Sequence, residues 1–298
     1  MSFSRQIRGA ALALGVAVAG LATFPASATA TTTSTSASVT TVGDPSTSAA
    51  GARPARVQPA STYLGFAAVD VTTGQTVASG LSSGPAWSTA KLIVVVTVLR
   101  KQRLIPINYS VRSDIASALR YSDNSAAIRL HERLIGVCGG TEYGAAQCMT
   151  ETLRAGGSGT TQVSTSFNGR TDAVTHWGQT QWSTQEQSTW LANLYRGRII
   201  GPNAGNLVFS NMAQVTSSQR WGLGQAGATY FKGGWGANAP LTVRQVGLVK
   251  KNGHWWSVAI LLTSSVPGAD NHFDTLSNYA TRVVGCLPAR AGKYSGCY

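Results

Sequence analysis

The chain has 298 residues, 43% hydrophobic and 12% charged, with a formal net charge of +13 at pH 7. This balance excludes a disordered or fibrous chain and describes one globular domain with a large core. The basic excess draws such a protein toward anionic surfaces, cell-wall polymers among them. There is no basic helix and no run of aromatics interleaved with arginine, so no nucleic-acid partner is expected.

Arg5 and Arg8 precede an apolar run from Gly9 to Phe24, closed by Pro25 and the small residues Ala26 to Ala30. That is the pattern of a secretory signal peptide. Residues 1–30 are expected to be cleaved near Ala28 to Ala30, leaving a secreted or extracytoplasmic protein of the cell envelope. Residues 31–60 are mostly Thr, Ser, Ala, Pro and Gly; they lack the apolar surface to offset ordering entropy and read as a flexible linker. Residues 61–298 are left as the folded domain.

Order begins with a strand from Tyr63 to Asp70, a turn at Thr73-Gly74 and a hairpin partner from Gln75 to Ser79. A helix over 88–104 follows, apolar nearly all round through Leu92, Ile93, Val95, Val96 and Leu99, and therefore buried. Helical patterns are predicted at 111–121, 125–135, 147–155, 184–196 and 205–217, strands at 228–233, 241–249 and 255–263, and a last helix over 271–284. Strands at both chain ends with helices between them imply an α+β fold. Its antiparallel sheet would be assembled from distant segments, flanked by helices, with an inserted helical region.

Cys138, Cys148, Cys286 and Cys297 are an even set in a chain read as exported, so disulfides are expected. Four cysteines allow three connectivities. Local pairing, Cys138 with Cys148 and Cys286 with Cys297, closes two loops of about ten residues. No histidine lies at zinc-ligand spacing from either pair, and neither metal nor cofactor is expected.

Three short segments carry residues suited to chemistry. Ser88-Thr89-Ala90-Lys91 places a hydroxyl and an amine on one face of a helix start. Lys91 interrupts an apolar stretch; either it snorkels to water or it has partners and a lowered pKa suited to proton transfer. Tyr121-Ser122-Asp123-Asn124 is a polar turn, with side chains that also serve as helix caps. Lys232-Gly233-Gly234-Trp235-Gly236 ends a strand with glycines that admit close approach of a backbone or ligand. His131, His176, His254 and His272 are scattered, and none joins a nucleophile signature. Trp177, Trp182, Trp235, Trp255 and Trp256 suit either a binding groove or the core.

The three segments in this order resemble the penicillin-recognising serine hydrolases, the class A β-lactamases and related DD-peptidases. Leu64 to Asp70 with Thr73-Gly74 is similar to that family's opening hairpin, and Trp182-Ser183-Thr184 to the segment after its omega loop. The resemblance spans about residues 61–285. It implies a β-lactamase/DD-peptidase-like fold and an acyl-enzyme on Ser88, with Lys91 as base, Ser122 as proton carrier to the leaving nitrogen, and Lys232 beside the substrate carboxylate. Asn124, Gly234, Trp235 and Arg244 would bind substrate, with the N–H groups of Ser88 and Trp235 as oxyanion hole; Arg244 is equally readable as a solvent-facing strand residue. The implied partner is a β-lactam or a peptidoglycan stem peptide, met by a monomer.

Three features depart from the family pattern. Gly233 stands where Thr or Ser is usual, the Lys91–Ser122 interval is short, and no Glu lies between Glu151 and Glu186 to activate a deacylating water. Asp172 is the one carboxylate there. Slow deacylation is therefore expected, with a non-catalytic cell-wall-binding module as the alternative.

Overall fold

The structure is a computed structural model that describes residues 63–265, 268 and 270–288. The expected signal peptide and linker, and Cys297 with its expected bridge to Cys286, lie outside the described residues. A five-stranded antiparallel sheet is built from β1 (Leu64–Asp70), β2 (Thr76–Gly80), β5 (Tyr230–Gly236), β6 (Leu241–Lys251) and β7 (His254–Ser264), in the order β2-β1-β7-β6-β5. The last strand therefore pairs with the first, Leu64 opposite Leu262 and Asp70 opposite Trp256.

Side-chain alternation divides the sheet's two faces between two cores. Phe66, Ala68, Val243, Val258 and Ile260 pack with Leu276, Tyr279 and Val283 of α7 (Asp270–Cys286). Val69, Val246, Leu248 and Ala259 join the larger core, with α1 (Lys91–Arg100) and α5 (Thr184–Tyr195). The helices α2 (Tyr109–Arg120), α3 (Asn124–Val137), α4 (Glu142–Ala155) and α6 (Pro202–Met212) contribute to that larger core too. Every residue of α1 from Lys91 to Leu99 is buried, as its all-round apolar sequence requires. Among the described residues no helix is long and apolar enough to cross a membrane.

Several boundaries differ from the sequence reading. The first helix does not run as one element over 88–104. Trp87–Ala90 winds as a 3₁₀ turn entered through a left-handed Trp87 (φ 47°), and α1 stops at Arg100, short of Pro106, which disfavours helical backbone just before it. α4 starts five residues earlier than expected because Thr141 caps it, its hydroxyl accepting from Gly144 N at 3.0 Å. Glycine at 144 lets this helix start abut the preceding helix end, since a Cβ would stand 1.8 Å from the Cys138 carbonyl oxygen. α6 begins at Pro202, a residue suited to the first helical position. A small second sheet of β3 (Ser83–Pro85) and β4 (Gln181–Ser183) carries too little pattern to be read from sequence.

Cys138 and Cys148 form a disulfide that ties the end of α3 to α4. On loop entropy a bridge of this span contributes about 2–3 kcal/mol.

Candidate active site

Ser88 sits in the 3₁₀ turn that launches α1, and Lys91 is the first residue of the helix proper. One turn of spacing brings them together: Lys91 Nζ lies 2.8 Å from Ser88 Oγ. The same nitrogen is 2.6 Å from the Ser122 carbonyl, 3.1 Å from Ser122 Oγ and 2.6 Å from Asn124 Oδ1. Two of these neighbours, the carbonyl and the amide oxygen, can only accept. When the amine is neutral they can take its two N–H bonds and leave its lone pair for the Ser88 hydroxyl. Burial lowers the Lys91 pKa to about 7, with Asp123 opposing the shift.

The Ser122 turn is held in a left-handed conformation (φ 58°) by the chain around it. Asp123 caps α3 through Ala126 N at 2.8 Å, Asp123 N donates to the Ser117 carbonyl at 3.2 Å, and Gln219 donates to the Tyr121 carbonyl at 3.0 Å. Lys232, fully buried on β5, donates to Ser122 Oγ and to the Gly233 carbonyl, each at 2.8 Å. Its pKa is pushed well down by burial and then by Lys91.

Gly234 explains how β5 closes on the serine. A Cβ there would stand 2.5 Å from Ser88 N, so only glycine lets the strand lie against the turn. Gly236 serves the same end for Trp87, whose ring occupies the space of its missing side chain at 1.9 Å. Trp235, 36% exposed, stands at the cleft's rim.

Ser88, Lys91, Ser122, Asn124 and Trp235 line one cleft of about 290 Å³ together with Asp172 and Trp177. Asp172 is the single carboxylate among the described residues lining it. Both its oxygens are engaged: Arg170 donates to them at 2.9 and 2.8 Å, and Asn238 N at 3.0 Å. Burial works to raise its pKa, but these hydrogen bonds outweigh it and hold the group below the ordinary carboxylate range. Arg170 itself lies over the Trp87 ring at 5.1 Å.

Two sequence expectations meet a different arrangement. Arg244 does not line the cleft: it is fully buried on β6 and spends its guanidinium on the carbonyls of Gly84, Pro85 and Trp182 and on Gln187 Oε1, at 2.6 to 3.2 Å. It is a clamp between β6, the small sheet and α5 rather than a substrate-binding group. Gly233 has no room for a side chain, because a Cβ would lie 2.9 Å from the Trp221 ring, so an indole fills the side where the family pattern carries a hydroxyl. Trp87, Val174, Thr175, Gly178 and Gln219 line the cleft without having been foreseen; for Trp87 the signal was Gly236, a glycine with no turn to make.

The profile of the Beta-lactamase enzyme family matches residues 101–284, more than half of the chain. The chain belongs to the beta-lactamase enzyme family. It is thus a serine hydrolase of β-lactamase type; the match takes in Ser122 to Asn124 and Lys232 to Trp235 but begins beyond Ser88 and Lys91. Solved class A enzymes of the family share its fold. The chain is 19% identical to the reconstructed class A β-lactamase of the last common ancestor of Gram-negative bacteria (TM-score 0.60, covering 76% of this chain and 95% of that one). It is 13% identical to the chromosome-encoded β-lactamase of Vibrio parahaemolyticus (TM-score 0.59, 74% and 92%), and 16% identical to a β-lactamase from Chitinophaga pinensis (TM-score 0.58, 77% and 93%). No curated protein sequence matches the chain.

Proposed function

We propose that this β-lactamase-family chain is an exported hydrolase that acylates Ser88 with β-lactams or with D-Ala-D-Ala-like ends of peptidoglycan stem peptides, and that it clears the acyl group slowly. The observation that carries the reading is the convergence of Ser88 Oγ, Ser122 Oγ and Asn124 Oδ1 on one buried amine, Lys91, in the wall of a cleft. In this reading Lys91 accepts the Ser88 proton as Oγ bonds to the substrate carbonyl carbon, and the N–H groups of Ser88 and Trp235 take the charge that moves onto the carbonyl oxygen. As the C–N bond breaks, Ser122 gives its proton to the leaving nitrogen and recovers one from Lys91. Two buried amines around one hydroxyl share a single proton more readily than they carry two; an arriving carboxylate favours the charge on Lys232 and keeps Lys91 the base.

Slow clearance is supported by the state of Asp172. A carboxylate with both oxygens bonded and a depressed pKa is a poor base for water. Export is supported by the leader-like residues 1–30, by the tether-like residues 31–60 ahead of the domain at 61–298, and by a disulfide, which oxidising compartments preserve. The basic charge suits binding to anionic cell-wall polymers.

Rapid-mix hydrolysis of a penicillin with intact-mass detection tests the reading. The expected result is about one equivalent of adduct on Ser88 formed in a burst, absent in Ser88→Ala, followed by steady turnover lower by the roughly 10²–10⁴ that general-base assistance supplies. Fast multiple turnover without adduct defeats slow clearance. No adduct, together with retained peptidoglycan binding, defeats the acylation and leaves a cell-wall-binding module.

A further inference from the structure

The fold gathers histidines that are far apart in the chain. His131 on α3 and His176, at the head of a 3₁₀ turn over Trp177–Gln179, meet Glu142 from the first turn of α4. We propose that His131 Nε2, His176 Nε2 and a Glu142 carboxylate oxygen form a binding site for a divalent transition metal, zinc above all.

The three ligand atoms lie within 4.8 Å of one another. His176 Nε2 is 2.8 Å and His131 Nε2 is 3.6 Å from Glu142 Oε2. Tetrahedral ligands about 2 Å from zinc stand roughly 3.3 Å apart, so small side-chain movements complete the geometry. Two imidazoles and a carboxylate are a donor set that zinc accepts, with water for the fourth position.

The surroundings of both rings point the same way. His176 Nδ1 is 3.0 Å from the Ser164 carbonyl, which can only accept, so the ring proton belongs on Nδ1 and the Nε2 lone pair faces Glu142. That is the outer-shell arrangement by which proteins orient a metal-binding histidine. Without a cation or a second ring proton, lone pair and carboxylate oppose each other at 2.8 Å. His131 is 4% exposed, and its Nε2 is buried with no hydrogen-bond partner while facing the same carboxylate. A buried ring nitrogen left without a partner in this way is costly unless something satisfies it. Glu142 is more than half exposed and gives an ion a way in.

The site would act on the cleft from behind. His176 is flanked by Thr175 and Trp177, both lining the cleft, while α3 begins at the Ser122-Asp123-Asn124 turn. A bound ion would fasten the segment around Thr175 and Trp177 to α3, the helix that begins just after Ser122, and to α4. The role is structural, and it does not depend on what Ser88 acylates.

The test uses the full chain without an affinity tag, stripped by chelator and then titrated with Zn²⁺ against a chromophoric competitor, with Co²⁺ as a spectroscopic probe. The expected result is one zinc per chain, visible absorption typical of tetrahedral Co²⁺, and a melting temperature that rises with zinc. His176→Gln, at a partly buried position, and Glu142→Gln, at an exposed one, should each weaken zinc by more than the roughly 10–100-fold that loss of an outer-shell partner costs, and should lose the zinc-dependent melting shift. His254→Gln should keep both. Absence of zinc uptake by the unaltered chain, or uptake equal in His176→Gln and Glu142→Gln, overturns the proposal; so does octahedral Co²⁺ absorption unchanged by those substitutions.

Discussion

At the scale of single residues, Lys91 decides the chemistry, and its environment makes a quantitative demand. An amine with a pKa of about 7 is a usable base only once its proton has left. Acylation of Ser88 by a labelled penicillin should therefore climb as pH rises through about 7 and then level off. Lys91→Met should lower it by roughly 10²–10⁴ and remove that limb. Truncation takes away a buried ammonium-forming group rather than core volume, so the variant should stay folded by circular dichroism. A Lys91→Met protein that acylates at the normal rate, or a profile flat from pH 5 to 9, would dismiss Lys91 as base.

At the scale of elements, Arg244 shows what a strand residue does when it turns inward. Its buried guanidinium supplies donors to the carbonyls of Gly84, Pro85 and Trp182 and to the Gln187 amide oxygen at the junction of β3, β4 and α5. Arg244→Met should lower stability by roughly 3–5 kcal/mol in denaturant unfolding, since orphaned buried carbonyls keep their full desolvation cost. A variant of normal stability but raised KM would instead return Arg244 to the substrate. The contrast with Lys91 explains what was legible in the sequence. Sequence pattern located all five strands of the main sheet and the principal helices, because α1 and the central strands β1, β6 and β7 are apolar runs buried on every side. The order of three short motifs named the residues that meet at Lys91. What could not be read depends on tertiary distance: Arg244 occupies a position that fits a ligand as well as a frame, β3 is three residues long, and Trp221 reaches the empty side of Gly233 from a separate loop. The histidine cluster was hidden for the same reason, since 34 residues separate His176 from Glu142 and nothing local links them.

At the scale of the whole molecule, the buried ionisable groups act in one direction with pH. Lys91 and Lys232 titrate lower in the folded chain than unfolded, so below the unfolded lysine pKa the unfolded chain binds more protons, and stability grows as pH rises from about 7 toward 10. Asp172 and Glu186 are depressed, so their contribution is present above the unfolded carboxylate pKa and disappears as pH falls through their folded values. The urea midpoint should increase from pH 5 to pH 9; a maximum near pH 6 followed by decline would contradict the lysine assignment. The sheet order carries a consequence of another kind. β7 is the central strand, and β1 has only its hairpin partner β2 until β7 arrives; a two-stranded hairpin is marginal alone. From Leu64 to Leu262 is roughly 200 residues, which a ribosome making about 5–20 residues per second needs some 10–40 s to deliver. For that interval the growing polypeptide lacks the strand that completes the sheet. The wiring of the strands is in this sense a timer.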